Sequence, residues 1–338
     1  MQLPAIDSIE LSNKRVLVRG DLDVPFEDGR ILDDTRIRNC LPTFKYVLEK
    51  GAERLLILGH IGKYEGPEKT VSTAFLKDSL SELLGDEVNF VAGMPPSGEI
   101  NDRVVLLDNV RMSEGEEKND AEFARALAQL ADVYVNEAFA TSHREHASIV
   151  GIPKLLLKAA GLRFAGEVAK LSTILENPKR PVVAMVSGIK KDKLSYIQNF
   201  LKFADTILVG GRLPDYIGDS DPLRSNSKVI LARLNPDKED ITIHSIETFQ
   251  KELAQAGTII VAGVLGKYEE EGHRQGTKQL FEAVAASTAF KLMGGGDSEA
   301  AASLFGITDK FDWISTGGGA MLEFLAKGTL PGLRALQE

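Results

Sequence analysis

Short β-branched apolar runs separated by longer stretches of helical period constrain this chain most, because a run that is apolar on both faces must be covered on both. In the first half these runs are residues 16–18, 55–58, 104–107 and 133–135, and in the second 182–186, 206–209, 258–261, 290–293 and 313–315. Strands of that composition suit parallel sheets, whose crossover helices lie over both faces. The expected fold class is α/β, with two doubly wound parallel-sheet, Rossmann-like domains joined by a helix and hinge. At about 150 residues per domain, 338 residues agree with two. Between the halves, Val168, Leu171, Ile174 and Leu175 fall at helical spacing over 166–176, and Asn177-Pro178 ends that connecting helix.

Composition excludes several classes. Forty basic and 49 acidic side chains leave a formal charge of −9, which opposes broad adhesion to nucleic acid or an anionic membrane and leaves room for one local basic cluster. Cys40 is the single cysteine, so no internal disulfide or thiolate metal site can form, and a reducing compartment is expected. The N-terminus lacks a signal-peptide pattern, and no run approaches the roughly 20 apolar residues of a membrane span, so the expectation is a cytoplasmic protein.

Segments after the strands carry the chemistry. In open α/β sheets ligands bind outside the carboxyl ends of the strands. The first half offers a polar, cationic rim: Arg19-Gly20-Asp21-Leu22-Asp23, Gly59-His60-Ile61-Gly62-Lys63, Asp108-Asn109-Val110-Arg111 and Asn136-Glu137-Ala138-Phe139. The second offers a glycine-rich rim: Ser187-Gly188-Ile189-Lys190, Gly210-Gly211, Ala262-Gly263, Gly294-Gly295-Gly296-Asp297 and Thr316-Gly317-Gly318-Gly319.

Each glycine triplet precedes a plausible helix, near Ser298 and Ala320. Bare backbone amides at such a turn can approach phosphate oxygens, although glycines alone also mark ordinary turns. Neither GxGxxG after the first strand nor GxxxxGK[ST] occurs, so nucleotide binding would need another design. Lys190 and Lys193 could neutralise a transferring phosphate or merely line a solvated turn. Asp297 could hold magnesium or cap a helix. Arg36, Arg38, Arg111, Arg144, His60, His143 and Lys63 form a basic set suited to a small, doubly anionic substrate, with Arg111 and Arg36 favoured by position. His143 and His146 lack a third metal ligand at suitable spacing, which favours structural or anion-binding roles.

The stretches VRGDLDVPFEDGRILDDTRIR, LGHIGK, DNVRMSEGEEKND, NEAFATSHREHAS, GIKKDK, GTK, MGGGDSEAA and STGGGAMLEFLAKGTLPGL, in this order, resemble the phosphoglycerate kinase family over nearly the whole chain. The resemblance implies a first domain, 1–160, that binds 3-phosphoglycerate and is completed by a returning segment, 322–338. It also implies an interdomain helix over 161–178 and a nucleotide domain over 179–321. The implied activity is reversible, magnesium-dependent phosphoryl transfer between ATP and 3-phosphoglycerate in glycolysis, by a monomer with hinge bending and no covalent intermediate. By position, Asp21 would orient the glycerate, His60, Arg111 and Arg144 would grip its phosphate, and Asp23 and Lys63 would adjoin it. Arg36 looks like the family's catalytic arginine, Lys193 like the lysine that follows the phosphoryl group, and Lys190 like its neighbour. Gly294, Gly295, Gly296 and Gly318 would supply backbone donors, with Gly210, Gly266 and Ser298 also on the ATP or ADP side. Glu269 would meet the ribose hydroxyls and Asp297 the Mg2+.

Several positions depart from the family pattern. Asp23 stands in place of asparagine, beside an anionic substrate, and Lys63 in place of arginine. The lysine turn is one residue shorter, and 261–269 lacks the family's asparagine, with Ala262 near its place. The stretch from Gly210 to about Thr258 is also shorter than the family's, so weak or unselective nucleotide binding is expected. Two other readings stay open at this point: a kinase of the same fold acting on another small acid, and a non-catalytic binding module.

Overall fold

The doubly apolar runs form strands, buried on both faces in the middle of each sheet and only partly buried at the edge strand Trp313–Ser315, and every pairing in the two main sheets is parallel. The computed structural model describes residues 3–66, 69–93 and 100–338. Two units emerge, Met1–Ala169 with Thr329–Glu338, and Lys170–Gly328.

In the first unit the strands are β1 (Arg15–Arg19), β2 (Arg54–Leu58), β3 (Asn89–Val91), β4 (Val104–Leu107), β5 (Val133–Asn136) and β6 (Leu157–Ala160), in the order β3-β4-β2-β1-β5-β6. In the second they are β7 (Val182–Val186), β8 (Thr206–Val209), β9 (Val229–Leu231), β10 (Thr258–Ala262), β11 (Phe290–Gly294) and β12 (Trp313–Ser315), in the order β9-β8-β7-β10-β11-β12. The winding reverses between β1 and β5 in one sheet and between β7 and β10 in the other. Diverging loops at those two points open the crevices where α/β sheets take ligands.

Three strands escape the apolar pattern. β3, β6 and β9 are all edge strands, and none is buried throughout, so none needed a doubly apolar run. The connecting helix is Leu162–Glu176, beginning before the periodic residues do. The Glu137 carboxyl group explains the early start: it accepts hydrogen bonds from the backbone N–H groups of Arg163 (2.9 Å) and Phe164 (3.2 Å), and so caps the helix from a strand end. Thr43 Oγ1 donates to the same carboxyl group at 2.9 Å, which ties in the helix Thr35–Glu49. After residue 328 the chain returns to the first unit as the helix Pro331–Gln337, where Gly332 N–H donates to the Ser142 carbonyl at 2.9 Å and Leu333 and Leu336 are buried. Among the described residues no helix is long and apolar enough to cross a membrane.

Candidate functional site

At the β1/β5 crevice the strand ends deliver charge into the interior. Arg19, the last residue of β1, is wholly buried. Its guanidinium donates to Ser148 Oγ (2.9 Å), to the Gly20 carbonyl (2.6 Å) and to His60 Nδ1 (3.1 Å). Asp21 follows, 3% exposed, and accepts from Arg36 at 3.0 Å; Arg36 sits in the first turn of Thr35–Glu49 with its side chain about one-third exposed. Asp21 Oδ2 has no hydrogen-bond partner among the described residues. Burial raises the Asp21 carboxyl above its ordinary value against the pull of Arg36, and Asp23 adds to the rise.

The loop after β2 brings His60 beside them. Asp23 holds this loop by accepting from Gly62 N–H at 2.8 Å, and its other oxygen lies 3.7 Å from His60 Nε2. Arg111, from the turn after β4, donates to the Gly62 carbonyl; its Nε lacks a hydrogen-bond partner among the described residues and lies 3.7 Å from Glu117. Burial lowers the His60 imidazole well below its ordinary value, and Arg19, Arg111, Arg36 and Arg144 all push in the same direction. Burial, Arg144 and Arg19 likewise bring Arg111 down to about 10. His146 falls to about 3 through burial and then Arg111, Arg144 and Arg19. Such mutual repulsion among positive groups is relieved by an anion, and phosphate suits guanidinium forks. Asp21, Asp23, Arg36, His60, Arg111 and Arg144 thus come together, whereas Lys63 is exposed on the turn after β2.

The second unit builds its site from main chain. At the β7/β10 crevice the Lys193 ammonium donates to the carbonyls of Ser187 (2.6 Å) and Ala262 (3.3 Å), the residues at the two strand ends. Gly263 permits this approach: its φ is +119°, and a Cβ there would lie 2.0 Å from the Ser187 oxygen and 2.8 Å from Lys193 Nζ. Burial lowers the Lys193 ammonium from its ordinary value, opposed by Asp297 and Asp192. Lys190 lies exposed on the loop before it.

The two glycine turns touch. A Cβ on Gly318 would meet the Gly295 Cα at 2.6 Å, and Gly295 has φ +109°. The helices that follow are Gly296–Leu304 and Gly318–Lys327, each starting two residues before the position expected, so the glycines themselves form the first turns, whose leading N–H groups have no acceptor within the helix. Ser298 is buried and accepts from Gly263 N–H at 3.0 Å, joining the glycine turn to the lysine crevice. Beside them a cavity of about 480 Å³ is lined by Gly188, Gly211, Tyr216, Gly266, Glu269 and Asp297 among others. Gly210 ends the same rim, directly after β8. Arg212, Lys238 and Glu239 supply the far wall, where Lys238 pairs with Asp215 (3.2 Å) and Lys267 with Glu239 (3.1 Å). Asp297 is exposed on this cavity, an oxygen donor of the kind a hard divalent cation takes together with substrate phosphates.

The sequence gives no direct sign that Arg19, Ser148 and Glu116 belong to the site, whereas His146, expected to be structural or anion-binding, lies against them. Glu116 is wholly buried and accepts from Ser148 N–H (2.8 Å) and Ser148 Oγ (2.6 Å), with His146 Nδ1 at 3.7 Å. Charged side chains are almost never fully buried without partners, and that was the available signal for an arginine ending the apolar run of β1.

The family model for phosphoglycerate kinase matches residues 6–217 and 224–328. Among curated relatives, phosphoglycerate kinase of Fervidobacterium nodosum is 37% identical over 401 aligned residues, covering 100% of this chain and 99% of its own. The Dictyoglomus turgidum enzyme of the same name is 37% identical over 386, covering 97% of each. An alignment of 401 positions to 338 residues leaves the relative with segments this chain lacks. The break at 218–223 in the family match falls in the stretch that the sequence shows to be short. Solved structures of phosphoglycerate kinase from Coxiella burnetii (TM-score 0.85, 33% identity, 99% of both chains) and Pyrococcus horikoshii OT3 (TM-score 0.86, 28% identity, 99% of this chain and 98% of that one) share the fold.

Proposed function

The chain belongs to the phosphoglycerate kinase family, and from that premise we propose that it transfers a phosphoryl group reversibly between ATP and the carboxylate of 3-phosphoglycerate. The observation that carries the assignment is the clustering of Arg19, Arg36, Arg111 and Arg144 about the buried His60. That surplus of positive charge suits a substrate bearing a phosphate at one end and a carboxylate at the other.

In this reading the 3-phosphate accepts hydrogen bonds from His60, Arg111 and Arg144, Asp21 orients the glycerate, and Arg36 lies along its carboxylate. That carboxylate attacks the terminal phosphorus of ATP; a C–O–P anhydride bond forms, the bridging bond to ADP breaks, and the electron pair leaves with ADP. Lys193 exchanges its two carbonyl partners for phosphate oxygens and stays with the group in flight. Amides of the Gly294–Gly296 and Gly317–Gly319 turns stabilise negative charge on the phosphoryl oxygens, and Glu269 engages the ribose. Alignment and electrostatic stabilisation supply the catalysis. Asp297 would hold Mg2+, which when bound on the nucleotide phosphates neutralises part of their charge.

A coupled assay with 3-phosphoglycerate, ATP and magnesium, run beside other hydroxy acids, tests the assignment. Arg36→Ala and Lys193→Ala should each lower kcat by about a hundredfold or more while leaving the fold intact. A folded wild type without turnover on 3-phosphoglycerate refutes it. A monomer in the cytoplasm belongs to the same proposal; Cys40, the only thiol, is buried and free, and light scattering that reported a dimer would remove the first part.

A further inference from the structure

The phosphate-gripping imidazole is held by a relay that begins at an anion outside the contact set. Arg19 has only donors, so the nitrogen it faces at 3.1 Å, His60 Nδ1, must present a lone pair. A neutral imidazole then carries its proton on Nε2, the nitrogen that faces Asp23. Arg19 is in turn fixed through Nε, which donates to Ser148 Oγ at 2.9 Å. Ser148 can accept there because its own hydroxyl hydrogen is committed to Glu116 Oε1 at 2.6 Å, while its N–H donates to Glu116 Oε2 at 2.8 Å. Tyr134 OH, donating to the Ser148 carbonyl at 2.7 Å, holds the residue from the remaining side. Glu116, Ser148 and Arg19 are all 0% exposed, so water cannot substitute for a missing partner.

We propose that Glu116 is a positioning residue for substrate: through Ser148 and Arg19 it fixes His60 as the Nε2–H tautomer, so that the imidazole offers the substrate phosphate a directed, uncharged donor. This rests on the assignment of His60 to the phosphate site. Polarity makes the inference specific. Both Glu116 oxygens accept, one from an N–H and one from an O–H. An amide of the same shape must turn its NH2 either toward the Ser148 N–H, setting donor against donor, or toward Ser148 Oγ. In the second case the hydroxyl becomes an acceptor of two N–H groups and its hydrogen has no acceptor left. Either way the Arg19 guanidinium loses its fixed seat.

The test is 15N NMR of histidine side chains in the full-length protein at neutral pH, with the five histidines told apart by single substitution, together with steady-state kinetics. The wild type should show His60 as a single neutral tautomer protonated on Nε2. Glu116→Gln should mix the two tautomers and raise KM for 3-phosphoglycerate roughly tenfold with kcat little changed, the size expected for one misdirected hydrogen bond to a charged group. Ser148→Ala, which removes the relay hydroxyl and keeps the acid, should mix the tautomers in the same way and serves where Glu116→Gln folds poorly. A folded variant that keeps the wild-type tautomer and KM overturns the proposal. Failure of the substrate assignment looks different: the tautomer pattern would hold while 3-phosphoglycerate left the His60 resonances unmoved.

Discussion

Asp23→Asn isolates the effect of one charge. The carboxylate accepts from Gly62 N–H at 2.8 Å through one oxygen, and the other lies 3.7 Å from His60 Nε2. Asparagine keeps the acceptor for Gly62 and removes the charge. A phosphate accepting from His60 Nε2 would bring its charge to about 6 Å from Asp23, and two negative charges against one at that distance repel by about 1.4–2.8 kcal/mol for an effective dielectric between about 80 and 40. The Asp23 side chain is 37% exposed, so salt counts, and a Debye length of about 8 Å roughly halves the repulsion, to about 0.7–1.3 kcal/mol. Asp23→Asn should therefore lower KM for 3-phosphoglycerate about three- to tenfold at physiological ionic strength, with kcat nearly constant. The effect should grow as salt falls to about 0.01 M and shrink below about twofold near 1 M. The coupled assay across a salt series reads both trends. An unchanged or higher KM, or a ratio of variant to wild type that ignores salt, would refute this account of the carboxylate.

Two further predictions concern the scaffold of each site. Gly263→Ala puts a methyl group 2.0 Å from the Ser187 oxygen at a φ of +119°, so it should cost more than about 2 kcal/mol in urea denaturation and weaken ATP binding in calorimetry; a wild-type midpoint would contradict the geometry. Glu137 titrates through folding: burial raises its carboxyl to about 8 from an ordinary 4.5, against the Arg163, Phe164 and Thr43 donors, so the folded state holds a proton that the unfolded state releases. That contribution is complete below the unfolded value and is lost as pH rises through about 8, at most about 1.4 kcal/mol per pH unit. The drop in denaturation midpoint between about pH 6 and about pH 9 should be smaller for Glu137→Gln than for the wild type, and equal slopes would exclude Glu137 as the titrating group.

Central strands were legible because burial on both faces demands unbroken apolar runs: 182–186 and 104–107 read from sequence as they stand in the fold. Three of the four edges were not, since Asn89–Val91, Leu157–Ala160 and Val229–Leu231 each meet a neighbour on one side only and carry no such demand; the fourth, Trp313–Ser315, kept a readable apolar run. Local signals also misplaced helix starts. Leu162–Glu176 begins where Glu137, far away in sequence, supplies the cap, and no window of neighbouring residues contains that information. Within the site, residues at strand ends stood out by position, among them Asp21, His60, Arg111 and Lys193. Residues acting from behind them did not, because Glu116 and Ser148 lie in short helices, Glu114–Glu117 and Ala147–Gly151, whose letters resemble any solvated segment; only their depth distinguishes them.

Because the segment 170–328 is contiguous while the first unit needs residues on either side of it, order of synthesis and order of completion differ. The second unit can consolidate as it leaves the ribosome. Its predecessor, made earlier, must wait for Leu333 and Leu336 before its surface beside Ile149 and Ser142 is sealed. During translation the half that grips the acid is thus the later of the two to mature, and a nascent chain halted after residue 328 would expose that apolar seam to chaperones.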